Sequence, residues 1–273
     1  MKNKPVSTLS STVLNHFNSL NKVVFETEEL ESVLPESSRG AIRNLLSSMV
    51  KHGLLMRIKR GLYHIIPYES ESESYLPDWH LLAEPLTRGR EHYIGYYSAL
   101  QIHNLITQPS LKEQIVVSRQ MKPSKMTIRG TTFQFIYHNP KRFFGGKESW
   151  INSFDKVKCS DLEKTIIDCL YKPEYAGGIT EIAKAIYMAR EKLDFLKLLS
   201  YTERFKSQAV IKRLGYLLEL MQIPTDAIEI LHSRRTASYV ILDTEVPASG
   251  TFLSRWRIQK NVDPQTILEA RFT

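Results

Sequence analysis

Apolar residues recur at helical spacing in three places within residues 1–66. The spacing predicts helices over about residues 8–20 and 28–34, and the second stops at Pro35 because the residue before a proline disfavours the helical conformation. A short β-branched and aromatic run at 23–25 lies between them and predicts one small strand. A third helix, ended by Gly53, has the clearest pattern, with apolar side chains at i, i+3, i+4, i+7 and i+8: Ile42, Leu45, Leu46, Met49 and Val50.

Residues 54–66 alternate between apolar and polar positions on either side of Lys59-Arg60-Gly61. This pattern predicts a β-hairpin with a basic tip. Three short helices followed by a basic hairpin is the order of elements in a winged helix-turn-helix. In such a domain the third helix enters the DNA major groove, while the hairpin contacts the backbone or the minor groove.

The polar face of the third helix carries hydrogen-bond donors, small residues and positive charge, but no carboxylate. A helix that enters a groove lined by phosphates needs this composition, because an acidic side chain would repel the backbone. The alternatives are a solvated helix face or a winged helix that binds protein. If this surface binds DNA, the helix and the hairpin supply these DNA-binding residues: Ser37, Gly40, Arg43, Asn44, Ser47, Lys51, Arg57, Lys59 and Arg60.

Residues 67–78 alternate glutamate and serine without hydrophobic periodicity, which predicts a solvated linker between a domain at 1–66 and a second at 79–273. In the second domain, helices and strands cluster rather than alternate, so the chain is expected to have the α+β fold class. The periodicity there predicts helices over 95–105, 161–170, 179–189, 193–201, 207–221 and 264–270, and strands over 114–118, 127–137 with a turn at Arg129-Gly130, and 239–242.

The charge is basic on both sides of this linker. The net charge is +4 over residues 1–66, −4 over 67–78 and +8 over 79–273, within a total of +8 and a pI of about 9.3. Charge therefore permits a nucleic-acid partner but does not decide which domain binds it. Only two cysteines occur, Cys159 and Cys169, and no apolar stretch approaches the roughly 18 residues of a membrane span. A cytoplasmic protein is expected.

An enzyme is the main rival interpretation, in particular a DNA-binding nuclease. Metal-dependent cleavage needs converging carboxylates, and the nearest candidate pair is Asp243-x-Glu245. The histidines are scattered, and no phosphate loop or nucleophile elbow occurs, so no catalytic residue, metal or cofactor is expected. Two basic clusters, Arg234-Arg235 and Arg255-Trp256-Arg257, could contact phosphates and stack on bases, or could be surface charge.

Four segments in order along the chain carry a resemblance to a known family: RIKRGLYHI at 57–65, YIGYYSAL at 93–100, SDLEKTIIDCLYKPEYAGG at 160–178 and IKRLGYLLEL at 211–220. The chain resembles the AbiEi-type antitoxins and related regulators of bacterial toxin–antitoxin (abortive infection) operons. The resemblance implies an N-terminal winged helix that binds operator DNA and autoregulates the operon. It also implies a C-terminal domain that counteracts a nucleotidyltransferase-like toxin, by acting on the toxin or on its target. The family includes stand-alone regulators without a toxin, and this alternative stays open.

The motif at 160–178 also has a structural interpretation. Ser160 followed by Glu163 is spaced as a capping box, and Gly177-Gly178 is spaced as a turn between two helices. Glu163 and Asp168 lie off the apolar stripe, as solvated or paired side chains would. The alternative is that this motif forms a surface that binds a partner or nucleic acid.

Overall fold

The computed structural model describes residues 5–106, 108 and 110–272, which divide into two units, Met1–Gly89 and Arg90–Thr273. Both units contain helices and strands, which confirms the α+β class. The first unit contains these elements: α1 (Thr8–Ser19), β1 (Val24–Glu26), α2 (Leu30–Val33), α3 (Arg39–Lys51), β2 (Leu55–Lys59), β3 (Leu62–Ile65) and α4 (Ala83–Thr87).

Helices α1 and α3 each begin after a capping serine. Ser7 and Ser38 accept hydrogen bonds from the main-chain NH groups of Ser10 and Ala41, so each caps the helix that follows it. At the end of α3, Gly53 has a φ of 71°, and the NH of Leu54 donates to the Met49 carbonyl at 2.9 Å. This 6→1 bond ends the helix and turns the chain into β2.

An antiparallel sheet in the order β1-β3-β2 packs against these helices. Phe17 of α1 stacks on Phe25 of β1 with ring centroids 4.2 Å apart, and Ile42 and Leu46 of α3 are buried in the same core. The turn between β2 and β3 is Arg60-Gly61, and Gly61 takes a φ of 80° that favours glycine. A bulge interrupts the β2–β3 register between Arg57 and Lys59.

The segment after the hairpin belongs to the first unit. Residues 67–78 are all described and contain neither helix nor strand, as expected for a Ser/Glu stretch. Residues 79–89, however, lie in the first unit, whereas the sequence predicted that the second domain starts at residue 79. The reason is local: Leu82 and Leu86 are buried, and the Leu86 carbonyl accepts a hydrogen bond from Lys59 Nζ at 3.3 Å.

The second unit contains a six-stranded mixed sheet, a small three-stranded sheet and seven α-helices among its described residues. The strands are β4 (His92–Ile94), β5 (Lys112–Val117), β6 (Lys125–Ile128), β7 (Thr131–Tyr137), β8 (Gly146–Trp150), β9 (Lys156–Ser160), β10 (Val240–Ile241), β11 (Thr251–Leu253) and β12 (Ile258–Lys260). The large sheet has the strand order β6-β7-β5-β4-β9-β8, and the small one β10-β12-β11.

Its helices form the larger hydrophobic core, in which side chains such as Ile166, Ile182 and Leu214 are fully buried. Trp256, in the turn between β11 and β12, and Ile258 of β12 belong to the same core. The helices are α5 (Tyr96–Ile102), α6 (Leu162–Tyr171), α7 (Gly178–Ala189), α8 (Phe195–Phe205), α9 (Gln208–Leu220), α10 (Ala227–Arg234) and α11 (Pro264–Glu269).

The periodic segments of the second unit were predicted correctly as to type, while several short elements were missed. The six helices expected from periodicity are present, and a turn at Arg129-Gly130 separates β6 from β7. Strands β4, β8, β9, β11 and β12 and helix α10 were not predicted. Within the part of the chain that the structure describes, no helix has the length and apolar character that crossing a membrane requires.

Candidate functional site: an arginine-lined groove beside α3

A groove of about 820 Å³ lies in the first unit between α3 and the β2–β3 hairpin. We call it the α3–hairpin groove. Its charged lining consists of five arginines and two glutamates: Arg39, Arg43, Arg57, Arg60, Arg88, Glu28 and Glu31. All five arginines belong to exposed residues. The groove therefore presents an excess of positive charge to solvent, as an anionic ligand would require.

Two of these arginines have acidic partners within the unit. Arg39 Nε donates to Glu31 Oε1 at 2.9 Å, and Arg88 Nε lies 3.8 Å from Glu26 Oε1. Both pairs are solvent-exposed, and exposed pairs of this kind contribute only about 0–1 kcal/mol. Within residues 5–106, 108 and 110–272, the other three arginines of the groove make no ion pair. Their guanidinium groups are available to a ligand.

Helix α3 positions its polar face because its apolar face is fixed in the core. Ile42, Leu46 and Met49 are buried, and this sets the rotation of the helix about its axis. Arg43 and Ser47 then line the groove, on the side of the helix that faces the hairpin. Asn44 is exposed but does not line the groove.

The hairpin turn is held to the rest of the unit by the segment that precedes α2. Thr27 NH donates to the Gly61 carbonyl at 2.8 Å, and Thr27 Oγ1 lies 3.4 Å from the same oxygen. These bonds fix the turn beside the start of α2, so Arg60 and Gly61 form one wall of the groove.

The nine predicted DNA-binding residues all lie on or beside α3 and the hairpin, but only some of them line the groove. Arg43, Ser47, Arg57 and Arg60 do so. The others lie elsewhere on this surface: Gly40, Asn44 and Lys51 are exposed on α3, Ser37 is half-buried before the helix, and Lys59 is half-buried in β2. Their contact with DNA stays a prediction.

Sequence reasoning missed Arg39 and Arg88 as members of the groove. Arg39 is the first residue of α3, and around the helix axis it lies between the buried stripe and Arg43. A helical projection that included the first turn could therefore have found it. Arg88 follows the Ser/Glu stretch in a segment without periodicity, and no sequence signal connects it to the hairpin.

The motif at 160–178 builds the core of the second unit. Asp161, not Ser160, is the N-cap of α6: its Oδ1 accepts from Lys164 NH at 2.9 Å, so the predicted capping box is wrong. Glu163 instead accepts from the NH of Asp194 at 3.1 Å and from Lys197 Nζ at 2.7 Å. Glu163 thus links the first turn of its own helix to the start of α8, where an acidic side chain is favourable.

A buried polar network joins α6 to the large sheet. Lys164 and Asp168 form an ion pair, and both are fully buried. Lys164 Nζ donates to Tyr93 Oη at 2.8 Å, and Tyr93 Oη donates to Asp168 Oδ2 at 3.0 Å. The His138 ring lies between two tyrosine hydroxyls, with Nδ1 3.3 Å from Tyr93 Oη and Nε2 2.8 Å from Tyr96 Oη. The polar atoms of this network are therefore mutually satisfied.

Burial perturbs the titration of this network. It lowers the pKa of His138 to about 4, although nearby Asp168 acts in the opposite direction. Burial also lowers the pKa of Lys164, again against the attraction of Asp168, and raises the pKa of Tyr93 and Tyr96 well above 10. At neutral pH the imidazole and both phenols are neutral around one ion pair.

The nearest nuclease candidates have structural partners. Asp243 is buried; its Oδ2 accepts from the NH of Ile179 at 2.7 Å, and its Oδ1 accepts from the NH of Glu245 at 2.9 Å. These bonds hold the start of α7 against the end of β10. Among the described residues, no three His, Cys, Asp or Glu side chains are grouped so that they could hold a metal ion.

The interpretation of Trp256 as a base-stacking residue is wrong. Its side chain is fully buried, and its Nε1 donates to Glu219 Oε2 at 2.6 Å. Neighbouring Arg255 pairs with Glu219 and Glu229, at 2.6 and 3.0 Å. Arg234 pairs with Glu203 at 2.7 Å, so it too has an acidic partner. The other arginines of these two clusters are also bonded within the unit, Arg235 to the Arg255 carbonyl and Arg257 to the Tyr239 hydroxyl.

No family model matches the chain, and no curated protein matches it. Among solved structures, the crystal structure of the RV2827C protein from Mycobacterium tuberculosis is similar to it, with a TM-score of 0.73 at 14% sequence identity. The similarity covers 98% of this chain and 96% of that one. At this level of identity, the similarity shows a shared fold.

Proposed function

We propose that the first unit is a winged helix-turn-helix that binds double-stranded DNA in a sequence-dependent manner. The order α1-β1-α2-α3-β2-β3 supports this assignment, with α3 as the recognition helix and the β2–β3 hairpin as the wing. The observation that carries the proposal is the arginine-rich α3–hairpin groove beside a helix that has no carboxylate along its length. DNA phosphates can approach this surface without repulsion from α3.

The exposed side chains of α3 supply chemistry that distinguishes bases. Arginine forms bidentate hydrogen bonds with guanine, and asparagine forms them with adenine. Arg43 and Asn44 are adjacent and exposed, so we assign base contacts to them. Arg57 and Arg60 of the hairpin, which have no acidic partner among the described residues, are assigned to phosphates.

The binding proposal is tested with the full chain on two duplexes of equal length, the promoter of its own gene and a random sequence. We expect promoter DNA to bind at least about 1,000-fold more tightly at physiological salt. Arg43→Ala should lose about 1–3 kcal/mol on the promoter and much less on random DNA, because it removes a base contact. Arg119→Ala, an exposed arginine of the second unit that does not line the groove, is the control with the same charge change. Equal binding to both duplexes by the folded wild type would contradict the proposal.

We further propose that the chain is the autoregulating antitoxin of a type IV toxin–antitoxin system. The support is the resemblance of 57–65, 93–100, 160–178 and 211–220 to AbiEi-type antitoxins. In cells whose growth is arrested by a nucleotidyltransferase-like toxin encoded beside the gene, co-expression of this chain should restore growth. Arg43→Ala should restore growth equally while losing repression, because it alters only the DNA-binding unit. Failure of rescue by folded wild-type protein would favour the alternative, a stand-alone regulator.

A further inference from the structure

Arg88 reaches the α3–hairpin groove from outside the helices and hairpin that define a winged helix. It lines the groove together with Arg57, and it lies 3.8 Å from Glu26 at the end of β1. Since the strand order is β1-β3-β2, Arg57 lies on one outer strand, β2, and the ion-pair partner of Arg88 lies at the end of the other, β1. The positive lining therefore includes a residue from beyond the hairpin.

The segment that carries Arg88 has a defined conformation. Thr87 is buried, and its Oγ1 donates to the carbonyls of Ala83 and Glu84, at 2.9 Å each, where α4 ends. Arg88 and Gly89 follow with φ values of 54° and 66°, so the chain turns sharply in the left-handed region. A backbone held by a short helix and a tight turn fixes the point from which the Arg88 side chain extends, which reduces the ordering entropy lost on contact.

Lys59 connects this segment to the hairpin. Its Nζ donates to the Leu86 carbonyl at 3.3 Å, two residues before Arg88, and the residue is half-buried. The ammonium is directed into the unit at this bond, unlike the exposed guanidinium of Arg60 in the turn. This geometry suits a residue that holds the segment 79–89 against β2.

We propose that residues 79–89 complete the DNA-binding unit, with Arg88 as a phosphate-contacting residue and Lys59 as the residue that positions it. The inference rests on the proposed function of the first unit. The exposed pair with Glu26 does not prevent the contact, since such pairs are weak and a phosphate accepts stronger charge-assisted hydrogen bonds from a guanidinium.

The test is the salt dependence of binding by the full chain, because each phosphate contact adds about 0.9 to the slope of log affinity against log salt concentration. Arg88→Ala and Arg88→Gln should each lower the slope by about one, to the same extent on promoter and random duplexes. Arg60→Ala should lower it similarly as the positive reference, and Arg119→Ala should leave it unchanged. Circular dichroism confirms that each variant is folded.

Lys59→Met separates positioning from direct contact. If Lys59 acts through Arg88, Lys59→Met lowers the slope in the wild type but not in the Arg88→Ala background. A further fall of about one in that background would identify Lys59 as a phosphate contact and overturn the positioning role.

The failures of the two proposals are distinguishable. An unchanged slope for Arg88→Ala and Arg88→Gln, while Arg60→Ala lowers it, overturns the assignment of Arg88 and leaves DNA binding intact. An equal fall for Arg119→Ala also overturns it, because the effect would then follow net charge rather than position. Absence of DNA binding by folded wild-type protein overturns the proposed function itself.

Discussion

Breaking the buried ion pair of the second unit should be among the most destabilising changes in this protein. Lys164 and Asp168 are both fully buried, and the hydroxyl of Tyr93 is hydrogen-bonded to each of them. Lys164→Met leaves the Asp168 carboxylate without a counter-charge in the core, with Tyr93 as its remaining donor. Removing one partner of a buried pair typically costs about 3–5 kcal/mol. That is a large part of the roughly 5–15 kcal/mol by which a domain is stable.

The double variant Lys164→Met/Asp168→Leu should be much less harmful than the sum of its parts. It removes both charges, so the remaining penalty is the loss of two partners from the buried Tyr93 hydroxyl, about 1–3 kcal/mol. Since each single change costs about 3–5 kcal/mol, the double-mutant cycle should give a coupling of at least about 3 kcal/mol.

Urea unfolding at pH 7, followed by tryptophan fluorescence, measures these changes, because Trp256 is buried in the second unit. Glu229→Gln is the control: it breaks an ion pair of the same unit in which the glutamate is 73% exposed, and it should cost less than about 1 kcal/mol. A cost below about 1 kcal/mol for Lys164→Met, or additive costs in the double variant, would refute the reasoning that this pair is desolvated.

Two further predictions concern the pH dependence of stability and the space around two helical glycines, one in α9 and one in α3. The folded-state pKa of His138 is about 4, below the 6.5 of an unfolded histidine; unfolding therefore takes up a proton, and stability should fall by about 2–3 kcal/mol between pH 6.5 and pH 4. This loss should be absent from His138→Gln, and identical pH dependences of the two proteins in urea titrations would exclude the effect. A Cβ on Gly215 would lie 2.1 Å from the Trp256 ring, whereas on Gly40 of α3 it would meet only Ser38 Oγ, at 3.8 Å. In thermal unfolding, Gly215→Ala should thus destabilise the protein by about 1–3 kcal/mol or more, while Gly40→Ala should be neutral or stabilising. Equal effects of the two variants would count against the tight packing of α9 on Trp256.

The sequence predicted elements well where one face of a segment is buried against a continuous core. The stripe of α3 was found because Ile42, Leu46 and Met49 repeat at helical spacing and are all buried. Strand β8 was missed because it is an edge strand with an exposed pattern, and β4 because it spans only three residues, all of them buried. Neither strand shows the alternation by which a half-buried strand is recognised.

The buried charges and part of the groove could not be predicted for a different reason. Asp168 was expected to be solvated or paired, and no sequence pattern marked Lys164 as buried, because charged side chains are rarely buried unless they are paired. Their partners, Tyr93 and His138, are distant along the chain and approach only in the folded sheet. Arg88 likewise enters the groove through the path of residues 79–89, which a local pattern does not encode.

The central claim, sequence-dependent DNA binding through α3, is tested most directly by selection from a library of random duplexes. The full chain and its Arg43→Ala variant are each incubated with the library, and bound DNA is sequenced over successive rounds. We expect the wild type to enrich one motif and Arg43→Ala to relax the preference at one position of that motif, because a single bidentate contact is lost. Enrichment of no motif by folded wild-type protein, or an unchanged motif with Arg43→Ala, would contradict the assignment of α3 as the recognition helix.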